Sequence, residues 1–78
     1  MPIKFTKHAL ERMKIRGITK EDILDAVNNP EKELTDSLGN KVAHKVKKKY
    51  LLRVFYYSEK DSRIVITAYK TSKIDKNF

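Results

Sequence analysis

HALERMKIRGITKEDILDAV, residues 8–27, decides how the rest of the chain is read. Two helical patterns lie in it back to back, with a single glycine between them. In the first, Ala9, Leu10 and Met13 fall on one side of the wheel, with Lys7, Glu11 and Lys14 roughly opposite. Thr6 stands where an N-cap belongs, and Gly17, which tolerates positive φ, is placed to end the helix. The second pattern opens at Thr19, with Asp22 three residues on as a variant capping box. Ile18 and Ile23 have the spacing of a hydrophobic staple. Glu21, Asp22 and Asp25 suit the positive end of a helix. Ile23, Leu24 and Val27 give the buried stripe, and Asn28-Asn29-Pro30 stops it. The short join predicts a helical hairpin.

Beyond Pro30 the period changes. Residues 32–37 have room for a short strand, and Leu38-Gly39-Asn40 is a turn signal. Val42, His44 and Val46 alternate with lysines, the pattern of a half-buried strand. YLLRVFYY (50–57) and RIVITAYK (63–70) are rich in β-branched and aromatic residues, with Glu59-Lys60-Asp61-Ser62 as the hairpin loop between them. The expected fold is α+β: two N-terminal helices packed on a four-stranded antiparallel sheet. Parity assigns Leu52, Val54 and Tyr56, with Ile64, Ile66 and Ala68, to the helix-covered side. Leu51, Arg53, Phe55 and Tyr57, with Arg63, Val65, Thr67 and Tyr69, then fall on the other side. Residues 72–78 read as a polar tail.

Seventy-eight residues, 40% hydrophobic and 36% charged, allow one small domain with little core material. Such a domain is marginally stable alone or leans on a partner. With no cysteine, neither a disulfide framework nor a zinc–thiolate site can form. No apolar run approaches ~18 residues, and MPIKFTKH lacks the apolar core of a signal peptide. A cytoplasmic protein without membrane contact is therefore expected. The net charge of +8 is placed unevenly. Residues 1–36 hold seven basic and seven acidic side chains, whereas residues 37–78 hold eleven and three. A lopsided basic charge suits a polyanion or an acidic protein.

F-T-x-H-A-x-x-R-M-x-x-R-G-I-T-x-E-D-I at 5–23, with R-V-F-Y at 53–56 and I-T-A-Y-K-T-S-K at 66–73, resembles a small bacterial and archaeal family of unsettled function. That family is similar in layout to the RelE and BrnT toxins and other microbial ribonucleases. The resemblance implies a metal-independent endoribonuclease, or a relative that kept the fold and lost the chemistry. It implies RNA as substrate, ribosome-associated mRNA included, and a small acidic antitoxin as protein partner. No cofactor is expected.

Cleaving RNA without a metal takes a base for the 2′-hydroxyl proton, cations for the phosphorane and an acid for the leaving 5′-oxygen. His8, Arg12 and Arg16 recur every four residues and so share one side of the first helix. His8 is the proton carrier in this reading. Arg12 and Arg16 are the phosphate forks. Thr67 and Tyr69 position a phosphate oxygen, Tyr69 also offers its ring for stacking on a base, and Arg53 adds a cation from the sheet. Lys45, Lys47, Lys48 and Lys49 supply salt-sensitive attraction to the backbone. Catalysis thus falls to His8, Arg12, Thr67 and Tyr69, with Arg16, Arg53 and the four lysines binding RNA. The same residues admit plainer roles: a packing histidine, arginines snorkelling from the core edge, and strand residues chosen for β-propensity. His44, between Val42 and Val46 with no cysteine or second histidine near it, reads as structural, and no metal site is expected. Two further outcomes stay open: a noncatalytic nucleic-acid-binding module of the same fold, and a protein-interaction adaptor.

Overall fold

The cap residues place both helices where the sequence pattern puts them. Thr6 Oγ1 accepts from the Ala9 N–H at 3.0 Å, and helix α1 runs over Lys7–Arg16. Gly17 closes it at φ 67°, in the left-handed region where a side chain would be strained. Thr19 Oγ1 accepts from the Asp22 N–H at 3.1 Å, and Asp22 Oδ2 accepts from the Thr19 N–H at 3.3 Å. This complete capping box starts helix α2, Lys20–Asn28. Ile18 and Ile23 are both buried in one cluster, as a staple requires. The structure, a computed structural model, describes residues 2–74. Of the tail expected at 72–78, residues 75–78 lie outside the described residues.

The strands are β1 (Ile3–Phe5), β2 (Lys32–Thr35), β3 (Lys41–Val46), β4 (Leu51–Glu59) and β5 (Ser62–Thr71), in the sheet order β1-β5-β4-β3-β2. Strands β2 to β5 form the expected antiparallel meander. The expectation of four antiparallel strands is corrected at one edge. There β1 pairs parallel to β5, with Ile3 beside Arg63 and Phe5 beside Val65, so the sheet is five-stranded and mixed. Ile3-Lys4-Phe5 alternates for a single cycle, too short to declare a period. Its pairing with β5 makes it a strand.

The helices close one face of the sheet. Ala9, Met13, Ile18, Ile23, Ala26 and Val27 pack on Ala43, Leu52, Val54, Tyr56, Val65 and Ala68. Burying a side chain such as Ile23 or Leu52 contributes about 1.5–3 kcal/mol. The buried helical stripes are narrower than the wheels suggest: Leu10 and Leu24 remain 41% and 38% exposed. Short helices on a small sheet touch it along one line of side chains, and the flanking leucines face outward.

The parity assignment holds for β4 and for Ala68 but is corrected at Arg63, Ile64, Val65 and Ile66, with Arg63 reaching the Val27 carbonyl of α2. Phe55 pairs with Thr67, whereas Tyr56 pairs with Val65, so Ile66 is an extra residue in β5. This β-bulge inverts the alternation on its N-terminal side. Val65 becomes a fully buried core residue, while Ile64 and Ile66 are only half-buried. Thr67 and Tyr69, beyond the bulge, keep the face expected for them, away from the helices.

Candidate nucleic-acid interface

Strand β1 covers the outer edge of β5 only as far as Val65. Further along, that edge is taken by α1 and its cap. The Thr6 N–H donates to the Val65 carbonyl at 3.1 Å, and Thr6 Oγ1 donates to the Ile66 carbonyl at 3.3 Å. From the other end of the helix, Arg16 Nη1 donates to the Ala68 carbonyl at 2.8 Å. Helix α1 is thus tied along the rim of β5 at both ends. The reach of Arg16 also sets the helix rotation, and the four-residue spacing carries Arg12 and His8 on that same side. Both are exposed. Among the described residues, no hydrogen bond or ion pair holds either of them, and none joins them to Thr67 or Tyr69. No enclosed cavity lies among the described residues.

The face away from the helices carries a different group. Register places His44, Arg53 and Tyr69 side by side across β3, β4 and β5. Arg53 Nε donates to His44 Nε2 at 3.0 Å, and Arg53 Nη1 donates to the Tyr69 hydroxyl. Arginine can only donate, so His44 accepts through Nε2 and carries its ring proton on Nδ1. Burial pushes the His44 pKa below the usual imidazole value, and the positive charges of Arg53 and Lys32 add to the shift. The guanidinium carbon lies 5.4 Å from the centroids of both the Phe55 and Tyr69 rings, which stack on each other at 5.9 Å. Arg53 is half-buried, yet no carboxylate pairs with it among the described residues. Its partners are a neutral ring, a hydroxyl and two aromatic faces.

The lysines divide. Lys45 donates to the Asn29 carbonyl at 2.9 Å and lies 3.8 Å from Asp25, while Lys47 donates to Asp25 at 3.1 Å. The Lys47 hydrogen bond, then the charges of both lysines, hold the Asp25 carboxyl below its ordinary range against some opposing desolvation. Both side chains therefore brace the C-terminal end of α2. Lys48 and Lys49 are exposed on the turn between β3 and β4.

Of the predicted catalytic residues, Thr67 and Tyr69 share the face away from α1 and α2, and His8 and Arg12 are exposed on α1. Arg16 is an anchor of α1 that retains donors beyond the one it uses. Sequence reading missed His44 as the acceptor that orients Arg53, whereas it put Phe55 on the same face as Arg53 and Tyr69 without naming it a site residue. Aligning β3 and β4 about their turn does pair 44 with 53, but the same alignment of β4 and β5 pairs 53 with 68, and it is the bulge at Ile66 that brings Tyr69 beside Arg53. Among the described residues, no three His, Asp or Glu side chains gather closely enough to share a metal ion.

Two helices docked on one side of a five-stranded mixed sheet define a small α+β domain whose other face carries Arg53 and aromatic rings beside the buried Val42, His44 and Leu51. The chain belongs to the family described as "Domain of unknown function (DUF4258)", whose model matches residues 5–70. That span contains every predicted site residue from His8 to Tyr69. No curated protein and no solved structure matches the chain. Among the described residues, no helix is long and apolar enough to cross a membrane.

Proposed function

We propose that this domain is a metal-independent endoribonuclease of a toxin–antitoxin system, related in architecture to the RelE and BrnT toxins. The observation that carries the reading is the Arg16 bond to the Ala68 carbonyl. It turns the His8–Arg12–Arg16 side of α1 toward the strand that bears Thr67 and Tyr69. RNA laid along this rim meets an imidazole, two guanidinium groups and two hydroxyls. His8 takes the 2′-hydroxyl proton, and the 2′-oxygen attacks phosphorus. The products are a 2′,3′-cyclic phosphate and a free 5′-hydroxyl, whose oxygen receives a proton from an acid at the site. Arg12 and the remaining donors of Arg16 hold the charge that builds on phosphorus. The excess of basic residues after position 36 draws RNA in, and it matches an acidic antitoxin that covers the surface when the toxin is silent.

The test is cleavage of RNA, free and ribosome-bound, in EDTA, with the products resolved by end-group analysis. His8→Ala should slow cutting by about 100-fold or more, the scale of general acid–base catalysis. Equal rates for the two proteins would remove His8 from the mechanism. A second reading, a noncatalytic nucleic-acid-binding module, is favoured by one observation: among the described residues no hydrogen bond orients the His8 ring, which a proton carrier ordinarily needs. Salt-sensitive RNA binding with no cut products on either substrate would select it.

A further inference from the structure

On the sheet face away from α1 and α2, Arg53 carries a charge that no carboxylate balances among the described residues. A half-buried guanidinium ordinarily sits beside a carboxylate, because removing a charge from water is costly when it is unpaired. Arg53 instead donates to neutral His44 and to the Tyr69 hydroxyl, and its Nη2 makes no hydrogen bond among the described residues. The two contacts fix the plane of the guanidinium while leaving Nη2 for a ligand. The ligand that completes the arrangement is an anion. The flanking groups narrow its class: Phe55 and Tyr69 are stacked, half-buried rings within 5.4 Å of the same guanidinium carbon. A cation held against aromatic rings on a β-sheet offers a phosphate contact and a stacking surface side by side, which is how unpaired nucleotides are held. A duplex keeps its bases inside and cannot use the rings.

We propose that Arg53, Phe55 and Tyr69 form a subsite for one unpaired nucleotide of RNA, with Arg53 on a phosphodiester oxygen and the adjoining base stacked on the aromatic layer. His44 is a positioning residue that aims Arg53 through Nε2. The subsite rests on the proposal that RNA is the substrate. It adds that the RNA must be single-stranded where it crosses the sheet, with Tyr69 shared between the subsite and the rim where the strand is cut.

The experiment is fluorescence anisotropy of the full chain in EDTA, with a labelled 2′-O-methyl oligouridine of about ten nucleotides. The blocked 2′-hydroxyl prevents cleavage, so binding is read alone. A duplex of the same length and oligoglutamate are the comparison probes. The single strand should bind more tightly than the duplex. Arg53→Lys keeps the charge but loses the planar fork, and should weaken single-strand binding about tenfold. Phe55→Leu should weaken it by a similar factor, about tenfold, with duplex binding unchanged. Tyr69→Phe keeps the ring and removes the acceptor, so it should cost less than Phe55→Leu and, combined with Arg53→Lys, add little. His44→Gln retains a neutral acceptor and should bind nearly as well as the native chain, whereas His44→Leu should resemble Arg53→Lys. Thermal melts identify any variant that is unfolded, and Arg53→Lys and Phe55→Leu decide the matter should His44→Leu not fold. Cleavage that fails while these binding losses appear supports the subsite and overturns only the catalytic reading. Equal losses for duplex and single strand, unchanged binding by Arg53→Lys, or capture of oligoglutamate with RNA ignored would each overturn the subsite.

Discussion

Helices α1 and α2 are nearly equal in length, both start at a threonine cap, and both bury small and apolar residues against the same sheet. They differ in what their charges do. The far end of α2 is held from several sides. Asp25 takes Lys47 and Lys45, the Asn29 carbonyl takes Lys45, and the Val27 carbonyl takes Arg63 at 3.4 Å. Cations at that end also complement the helix dipole. On α1, among the described residues, only Arg16 of the charged side chains is engaged, while His8 and Arg12 stand exposed with no hydrogen-bond or ion-pair partner. The lesson is that similar helices can be told apart by where their polar bonds end. The helix whose charges close on the fold is a structural part, and the helix that leaves them open is where a ligand can be met.

The strongest way to break this division is to attack the core that both helices share. Ile23 is fully buried at the base of α2. Ile23→Ala should cost about 2–5 kcal/mol through lost burial and the cavity left behind. For so small a domain that is a large share of the total stability. Urea denaturation followed by circular dichroism measures it. A loss below that range would mean that α2 is loosely seated and its charge contacts incidental. Next in size is the cap. Thr19→Ala removes the acceptor for the Asp22 N–H and should cost about 1 kcal/mol by the same measurement. If the domain cleaves RNA as proposed, the rate should be unaffected at temperatures where the variant stays folded.

Much of this layout was legible in the chain. Thr6, Gly17, Thr19 and Asp22 act locally, so their helices follow from neighbours in sequence. The meander was legible because Val42 to Val46 and the two aromatic strands repeat long enough to show a period. What escaped was set by distant contacts. Strand β1 exists because β5 lies beside it, and nothing within Ile3–Phe5 says so. The bulge at Ile66 is a mismatch between two strands, and it moved Val65 into the core against simple alternation. For the candidate site, the stripe on α1 could be read from spacing alone. The commitment of Lys45 and Lys47 to α2 could not, because their partners are about twenty residues away in sequence, as with the 22-residue separation of Lys47 from Asp25. The role of His44 was hidden for the same reason: its meaning comes from Arg53 on the neighbouring strand.

A smaller effect separates the helices by pH. Lys47, chiefly through its hydrogen bond, keeps Asp25 ionised to lower pH in the fold than in the unfolded chain. As pH falls, the unfolded chain takes up this proton first. The contribution is therefore complete above the ordinary carboxylate range and disappears as pH drops through the folded pKa of Asp25. Asp25→Asn should flatten the acid limb of the stability curve slightly, and added salt should do the same in the native chain because the pair is only partly buried. Urea midpoints measured from pH 6 down to about pH 3 cover that range. An unchanged acid limb would show that the brace on α2 is electrostatically idle.

The smallest expected change in stability is also the sharpest test of the division. Arg12 is exposed on α1, and among the described residues no contact of its guanidinium would be lost on truncation. Alanine has the higher helix propensity. Arg12→Ala should therefore leave the urea midpoint within about 0.5 kcal/mol of the native value. Lys14, on the same helix and turned away from Arg16, removes the same charge when replaced and serves as the control. If α1 holds its open charges for RNA, Arg12→Ala should slow cleavage by about a hundredfold, the scale set by losing one transition-state donor. Lys14→Ala should weaken binding only by the small amount expected for one distant cation. Equal losses from the two variants would mean that RNA senses only the net charge of α1. The contrast between the helices would then concern stability alone, with no bearing on chemistry.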